Sequence, residues 1–217
     1  MAEAAGSPIT AEEYERRDER SLRRALGSSS AAVLSDRALS VGVGVPVDTD
    51  WVERARRRGI PIVRRSTGGT GVLHEAGDLV WSIVLPRGDA RVGRDYSHAY
   101  SRFGAGATGF LAGLGLDAGW TAPPAVSDSC CTLGARGCVL SVGDRVVGGA
   151  AQHLTRTALL HHGTISVTVD RDLLRELFDL VAPADADHLA GIREFEIDLS
   201  GPELAARLAA AMQAAFG

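Results

Sequence analysis

Two stretches of this chain bring residues able to do chemistry into close order. The first is Arg64-Arg65-Ser66-Thr67-Gly68-Gly69-Thr70-Gly71-Val72-Leu73-His74, a glycine-rich loop between two strand signals. Glycines let the main chain approach a ligand closely and turn N–H groups toward an anion. The arginine pair that opens the loop can hold a phosphate or carboxylate through its planar fork. The loop lacks the Gly-Lys-Ser/Thr ending of a P-loop, and no helix pattern follows it, as a dinucleotide fingerprint requires. A tight β-connection with solvent-facing arginines is the plainer alternative, and the residues alone leave both open. The second stretch is Ser127-Asp128-Ser129-Cys130-Cys131, with Cys138 a few residues on. Three cysteines so close together make a poor disulfide framework and fit reduced thiols in a cytoplasm. Cys138 lies on a strand signal and is expected to be buried as a small hydrophobe. Vicinal cysteines plus one more match no standard zinc spacing, so no metal is expected.

Composition narrows the choices. The 217 residues include no lysine, so all 23 basic side chains are arginine and no Schiff base or lysine general base can arise. A net charge of −4 speaks against nucleic acid as a partner. No apolar run reaches the length of a membrane span, and the polar, acidic beginning lacks the apolar region of a secretory signal. The expectation is one cytoplasmic domain over residues 1–217, with no C-terminal accessory domain. Arg54, Arg56, Arg57 and Arg58 read as an anion patch or, more simply, as the solvated face of a short helix with cations at its C-terminal end.

Several elements must position these groups. Thr10 predicts a cap for a helix over residues 10–26, with Gly27 past its end and Tyr14, Leu22 and Leu26 on its inner face. Short strands are expected at Ala31–Leu34 and Ala38–Val43, around the turn Ser35-Asp36-Arg37. A helix starting near Asp48-Thr49-Asp50 should stop at Gly59. Strand signals follow at Pro61–Arg64, Gly71–His74 and Leu79–Leu85. The longest helix candidate covers 95–114, weakened by glycines. After a loop over Thr121–Gly137, Val139–Val147 reads as a hairpin turning at Gly143-Asp144. Leu159–Val169 reads as a strand, and helices are expected at Arg171–Leu180 and Pro202–Phe216. The order gives an α+β fold, a mixed sheet flanked by helices.

The segment RRSTGGTGVLHEAGDLVWSIVLP resembles the hallmark of lipoate–protein ligases and octanoyltransferases, with Thr70 where a third glycine is usual. Val147-Gly148-Gly149-Ala150-Ala151-Gln152 is similar to the family's Lys-x-Ser-Gly-x-Ala-Gln strand. Leu159-Leu160-His161-His162-Gly163-Thr164-Ile165 is similar to its Leu-x-His-Gly-Thr/Ser strand. The resemblance covers about Val33–Leu180 and implies the biotin/lipoate ligase catalytic fold. It implies that Arg64, Arg65, Ser66, Thr67, Gly68, Gly69, Thr70, Gly71 and His74 wall an acyl pocket with Gly148, Gly149, Ala150, His162, Gly163 and Thr164. For His162, a core histidine bonded within the fold is an equal reading. The family's lysine falls at Arg145, which keeps a positive charge but cannot serve as a neutral base. The cysteine loop matches the position of the nucleophile in octanoyltransferases, with Cys130 first by spacing and Cys131 second. The implied reaction moves an octanoyl or lipoyl group from an acyl carrier protein to a lysine of a lipoyl-domain protein through a cysteine thioester, with no cofactor. The alternatives are an ATP- and Mg-dependent ligase with a separate accessory subunit, or a repurposed relative that binds an acyl or acyl-adenylate ligand. Strand Gly137–Leu140 carries no Asn-Asp pair of the kind that ligases use for nucleotide and metal.

Overall fold

The computed structural model describes residues 8–93, 96–134 and 137–217. The acidic beginning, residue 95 of the expected long helix and part of the 121–137 loop lie outside them. Thr10 caps helix α1 (Ala11–Arg24) by accepting the Glu13 N–H at 3.2 Å, and Ala25 closes it in the left-handed conformation. Strand β1 (Pro8–Ile9) precedes it and β2 (Ser28–Leu34) follows. Then come β3 (Ala38–Val41), α2 (Asp50–Arg57), β4 (Ile62–Arg64), β5 (Gly71–His74) and β6 (Leu79–Pro86). The second half holds α3 (Tyr96–Ala112), β7 (Ala118–Thr121), β8 (Val139–Val142), β9 (Arg145–Leu154), β10 (Ala158–Ile165), α4 (Arg171–Leu177) and α5 (Gly201–Phe216). Among the described residues no helix is long and apolar enough to cross a membrane.

Seven strands form one sheet in the order β1-β2-β6-β10-β9-β8-β7, and three form a second in the order β4-β3-β5. Strand β6 is central and buried from Leu79 to Leu85, which explains why its apolar pattern runs continuous instead of alternating. Residues Trp81, Ile83, Leu85 and Leu159 point to one face and pack on Phe103 and Leu111 of α3 and Leu204 and Leu208 of α5. Each such fully buried aliphatic or Phe side chain contributes about 1.5–3 kcal/mol. Trp120 sits where a Cβ on Gly104 would come within 2.7 Å of its Nε1, so a glycine of α3 makes room for the indole. The opposite face carries α1 against Val84 and Leu160 at one end. At the other end lie the small sheet, α2 and α4.

The structure departs from expectation at three joins. Strands β2 and β3 flank the predicted turn but belong to different sheets, because Asp36 bonds the Ala11 N–H at 2.9 Å and the corner carries the chain across. Strand β7, with only four residues, gives too short an alternation to be read. Strand β10 ends at Ile165, where the buried carboxylate of Asp78 accepts the Val167 N–H at 2.9 Å. Three of the four arginines at the end of α2 are ion-paired, Arg54 with Asp179, Arg56 with Glu53 and Arg58 with Glu176, which favours the solvated-face reading over an anion patch.

Candidate active site

The glycine-rich loop joins β4 to β5 and is held from within by its own arginines. Arg65 is 5 % exposed. Its fork donates to the Gly68 carbonyl at 2.8 Å and to the carbonyl and hydroxyl of Ser40 on β3 at 3.0 and 3.2 Å. Burial lowers its pKa, and Cys131 and Glu15 counter the fall. Arg64 donates to the carbonyls of Gly42 and Val45 at 3.1 and 3.0 Å. Both arginines expected to grip a ligand are engaged with main chain. Thr70 accepts the Gly42 N–H at 3.2 Å, and a Cβ on Gly42 would lie 2.0 Å from the Gly69 carbonyl oxygen. The loop folds down onto β3 because position 42 has no side chain.

The cysteine loop is stitched beside it. Gly71 donates to the Ser129 carbonyl at 2.9 Å, and the Ser127 hydroxyl accepts the Cys130 N–H at 3.0 Å. This brings one thiol to the loop and hides the other. Gly69 has φ +89°, and a Cβ there would lie 2.7 Å from Cys131 Sγ and 2.8 Å from Arg65 Nη2. Thiol and guanidinium thus converge on one glycine. Cys130, ranked first from spacing, is sealed in the core at 1 % exposure. Burial pushes its thiol up to about 11, against a partial offset from the Thr132 hydroxyl. Cys131 is half-buried, and Cys138, expected inside, is exposed because it precedes β8.

His162 and its neighbours form a buried polar cluster. Its Nε2 hydrogen-bonds with Thr67 Oγ1 at 2.7 Å and its Nδ1 with Asp18 Oδ2 of α1 at 2.9 Å. Burial disfavours the imidazolium, but Glu15, the Asp18 hydrogen bond and the Asp18 charge outweigh it and raise the pKa. Glu15 is itself pushed up to about 7, mainly by burial, with His162 opposing. His74 hydrogen-bonds with Ser40 Oγ at 3.0 Å, and burial, then Arg65 and His162, bring it down to about 3, so it is neutral.

The donor atoms of Glu15, Asp18 and His162 lie within 4.8 Å of one another. Both imidazole nitrogens already hydrogen-bond, so the group reads as a hydrogen-bonded relay. Sequence reading missed Asp18 and Glu15. Asp18 falls between Tyr14 and Leu22 at four-residue steps, a carboxylate on an apolar stripe, and that irregularity was its signal.

The remaining predicted residues divide. Gly148 and Thr164 line a narrow cavity of about 20 Å³ with Val72, Cys130 and Thr132, room for a single water. Gly149 faces the Thr132 methyl at 3.7 Å from a built Cβ. Gly163 lies over the Trp81 ring, which a Cβ would meet at 2.3 Å. The Ala150 carbonyl accepts the Tyr100 hydroxyl at 2.8 Å. Ser66 borders a separate open cleft of about 330 Å³ with His153, Glu19 and Arg23. Arg145, in the place of the family's lysine, pairs with Glu194 at 3.0 Å and donates to the Leu189 carbonyl at 3.1 Å. Strand β8 presents Val, Leu, Ser and Val, with no carboxylate or amide to hold a nucleotide's metal.

Comparison with known proteins agrees with this architecture. Octanoyltransferase LipM of Geobacillus kaustophilus is 30 % identical over 150 residues, covering 64 % of this chain and 54 % of LipM. The chain spans about half the length of the curated relatives it matches. A lipoate-protein ligase A structure bound with ATP superposes with a TM-score of 0.75 at 22 % identity, covering 97 % of this chain and 85 % of that one. A bipartite lipoate protein ligase from Thermoplasma acidophilum, studied with its E2 lipoyl domain, gives 0.73 at 22 % identity over 97 % and 83 %. Residues 36–209 match the lipoyl protein ligase A/B catalytic domain, and the chain is a member of that family.

Proposed function

We propose that this chain transfers an octanoyl or lipoyl group from a carrier-protein thioester to a lysine of a lipoyl-domain protein, with Cys131 as the nucleophile. The observation that carries the reading is the convergence of the Cys131 thiol and the Arg65 guanidinium on Gly69. The thiolate is the reactive form of cysteine. That thiolate attacks the thioester carbonyl, the carrier thiol departs, and the acyl group rests on sulfur. The acceptor amine then attacks the same carbonyl, the C–S bond breaks, the amide forms and the amine's lost proton returns the cysteine to its thiol. One thioester exchange and one aminolysis of a thioester replace a single direct transfer. Neither step calls for a nucleotide. The name of the LipM relatives supports octanoyl transfer, and the bipartite ligase studied with a lipoyl domain supports that partner class. A reducing, cytoplasmic setting suits three free cysteines.

The narrow cavity beside Cys130 and Thr164 is the candidate acyl channel. At about 20 Å³ it has room for a single water and is closed to a medium-length chain in this structure. The ligase alternative rests on the likeness to the ATP-bound structure, and the empty ligand set of β8 opposes it.

Intact-mass measurement after incubation with octanoyl carrier protein tests the reading. The expected result is an octanoyl adduct that Cys131→Ser removes and Cys130→Ser retains. Pyrophosphate release dependent on ATP and free octanoate, with no cysteine adduct, would overturn it.

A further inference from the structure

We propose that helix α1 belongs to the transfer machinery: Asp18, acting through His162 and Thr67, is a positioning residue that sets the glycine-rich loop against the Cys131 thiol. The inference rests on the transfer reading above and extends it to a helix that lies before the family-matched residues 36–209.

The geometry is a chain of short contacts. Asp18 Oδ2 meets His162 Nδ1 at 2.9 Å, and His162 Nε2 meets Thr67 Oγ1 at 2.7 Å. A carboxylate on one ring nitrogen sets the orientation of an imidazole and so directs the other. Thr67 is fully buried, and its carbonyl accepts the Val43 N–H at 2.8 Å. It directly precedes Gly68, whose carbonyl takes the fork of Arg65, and Gly69, on which the thiol closes. Two clamps therefore hold the loop. Arg65 ties it to β3, and the Asp18–His162 pair ties it to the main sheet.

A merely structural contact would not need this cost. Asp18 is 1 % exposed, and its Oδ1 has no hydrogen-bond partner among the described residues. Glu15 Oε2, at 7 % residue exposure, is in the same position. A carboxylate withdrawn from water with lone pairs unmet is unfavourable. Within the family match, the His-Gly-Thr strand supplies the imidazole; α1 supplies its counter-charge from outside that match. The groups around the imidazole are Tyr14, Glu15 and Asp18 of α1, Arg65 of the loop and His74 of β5; Arg17 lies over the Tyr14 ring, and His161 turns to the opposite face of β10. Glu15 and Asp18 are the acids there, and His74 and His161 are held neutral by burial. Removing the Asp18 charge leaves the imidazolium with less support, so its titration moves to lower pH.

The test is the single-turnover rate of octanoyl-thioester formation, followed by intact mass against pH and carrier concentration. Asp18→Asn is expected to slow the step about 10–100-fold with little change in the carrier concentration for half-saturation, because a misplaced reacting group loses rate and not binding. Its pH–rate inflection should move to lower pH. Thr67→Val should lose a similar factor, Thr67→Ser should recover part of it, and Asp18→Asn combined with Thr67→Val should add little further loss. If Asp18→Asn does not fold, the Thr67 pair decides. Wild-type protein that forms no adduct removes the transfer reading and this inference with it. Wild-type protein that forms one, with rates and pH profile indifferent to both Asp18→Asn and Thr67→Val, removes this inference alone.

Discussion

On one face of β10, His161 packs among the rings of Trp81, Tyr100 and Phe103, and neither of its nitrogens has a hydrogen-bond partner among the described residues. On the other face, His162 is bonded at both nitrogens, to Asp18 and Thr67. The two are adjacent in sequence and both buried. Burial brings the first down to about 3, whereas the acids around the second outweigh burial and raise it. A strand sends successive side chains to opposite faces. The layer each one enters therefore decides its chemistry. The vicinal cysteines repeat the lesson: Cys130 turns into the core, and Cys131 turns to the cation and the glycine loop.

The cysteine contrast offers the largest effect. Cys131→Ser should abolish the octanoyl adduct, and Cys130→Ser should lower its rate only a few-fold; the reverse pattern by intact mass would break the comparison. Next is Gly69→Ala, which forces a side chain into φ +89° and onto the thiol. It should slow adduct formation about tenfold and lower stability by about 1–2 kcal/mol, read by rapid mixing and denaturant titration.

The histidine contrast predicts opposite pH slopes. His161 is lowered in the fold, so above the unfolded value of about 6.5 both states are neutral and nothing is lost. As pH falls from there toward 3, the unfolded chain takes up the proton that the fold refuses, and stability drops, by about 2 kcal/mol at pH 5. His161→Phe should flatten that slope. His162 is raised, so its contribution is full below the unfolded value and fades as pH rises through the folded one. His162→Gln should remove stability at pH 6 and less at pH 9, measured by denaturation at each pH. The smallest effect belongs to Arg145, whose partner Glu194 is also held by Arg171 at 2.6 Å. Arg145→Ala should change the transfer rate by less than about threefold, since an ion pair a third exposed is weak; a hundredfold loss would restore the role that its place in the motif implied.

Much of this molecule was legible along the chain. The cap at Thr10, the hairpin turn at Gly143-Asp144 and the strands β5 and β6 follow from local residue chemistry. The glycine loop was readable as a contiguous pattern, and the His-Gly-Thr strand through its resemblance to the family motif. What could not be read was pairing over distance. Asp18 and His162 are 144 positions apart, and Arg145 and Glu194 are 49. The order of the two cysteines was equally hidden, because the turn at Ser127 and the bridge to Gly71 choose which thiol faces inward.

The amino-acid order by itself determined which groups exist and where the backbone can bend, because caps, turns and strand periods act within a few residues. Tertiary structure alone decided which of those groups lose water and which gain a charged neighbour. Burial and Coulomb interaction depend on spatial neighbours. Here those neighbours come from α1, the small sheet and β10 folded together.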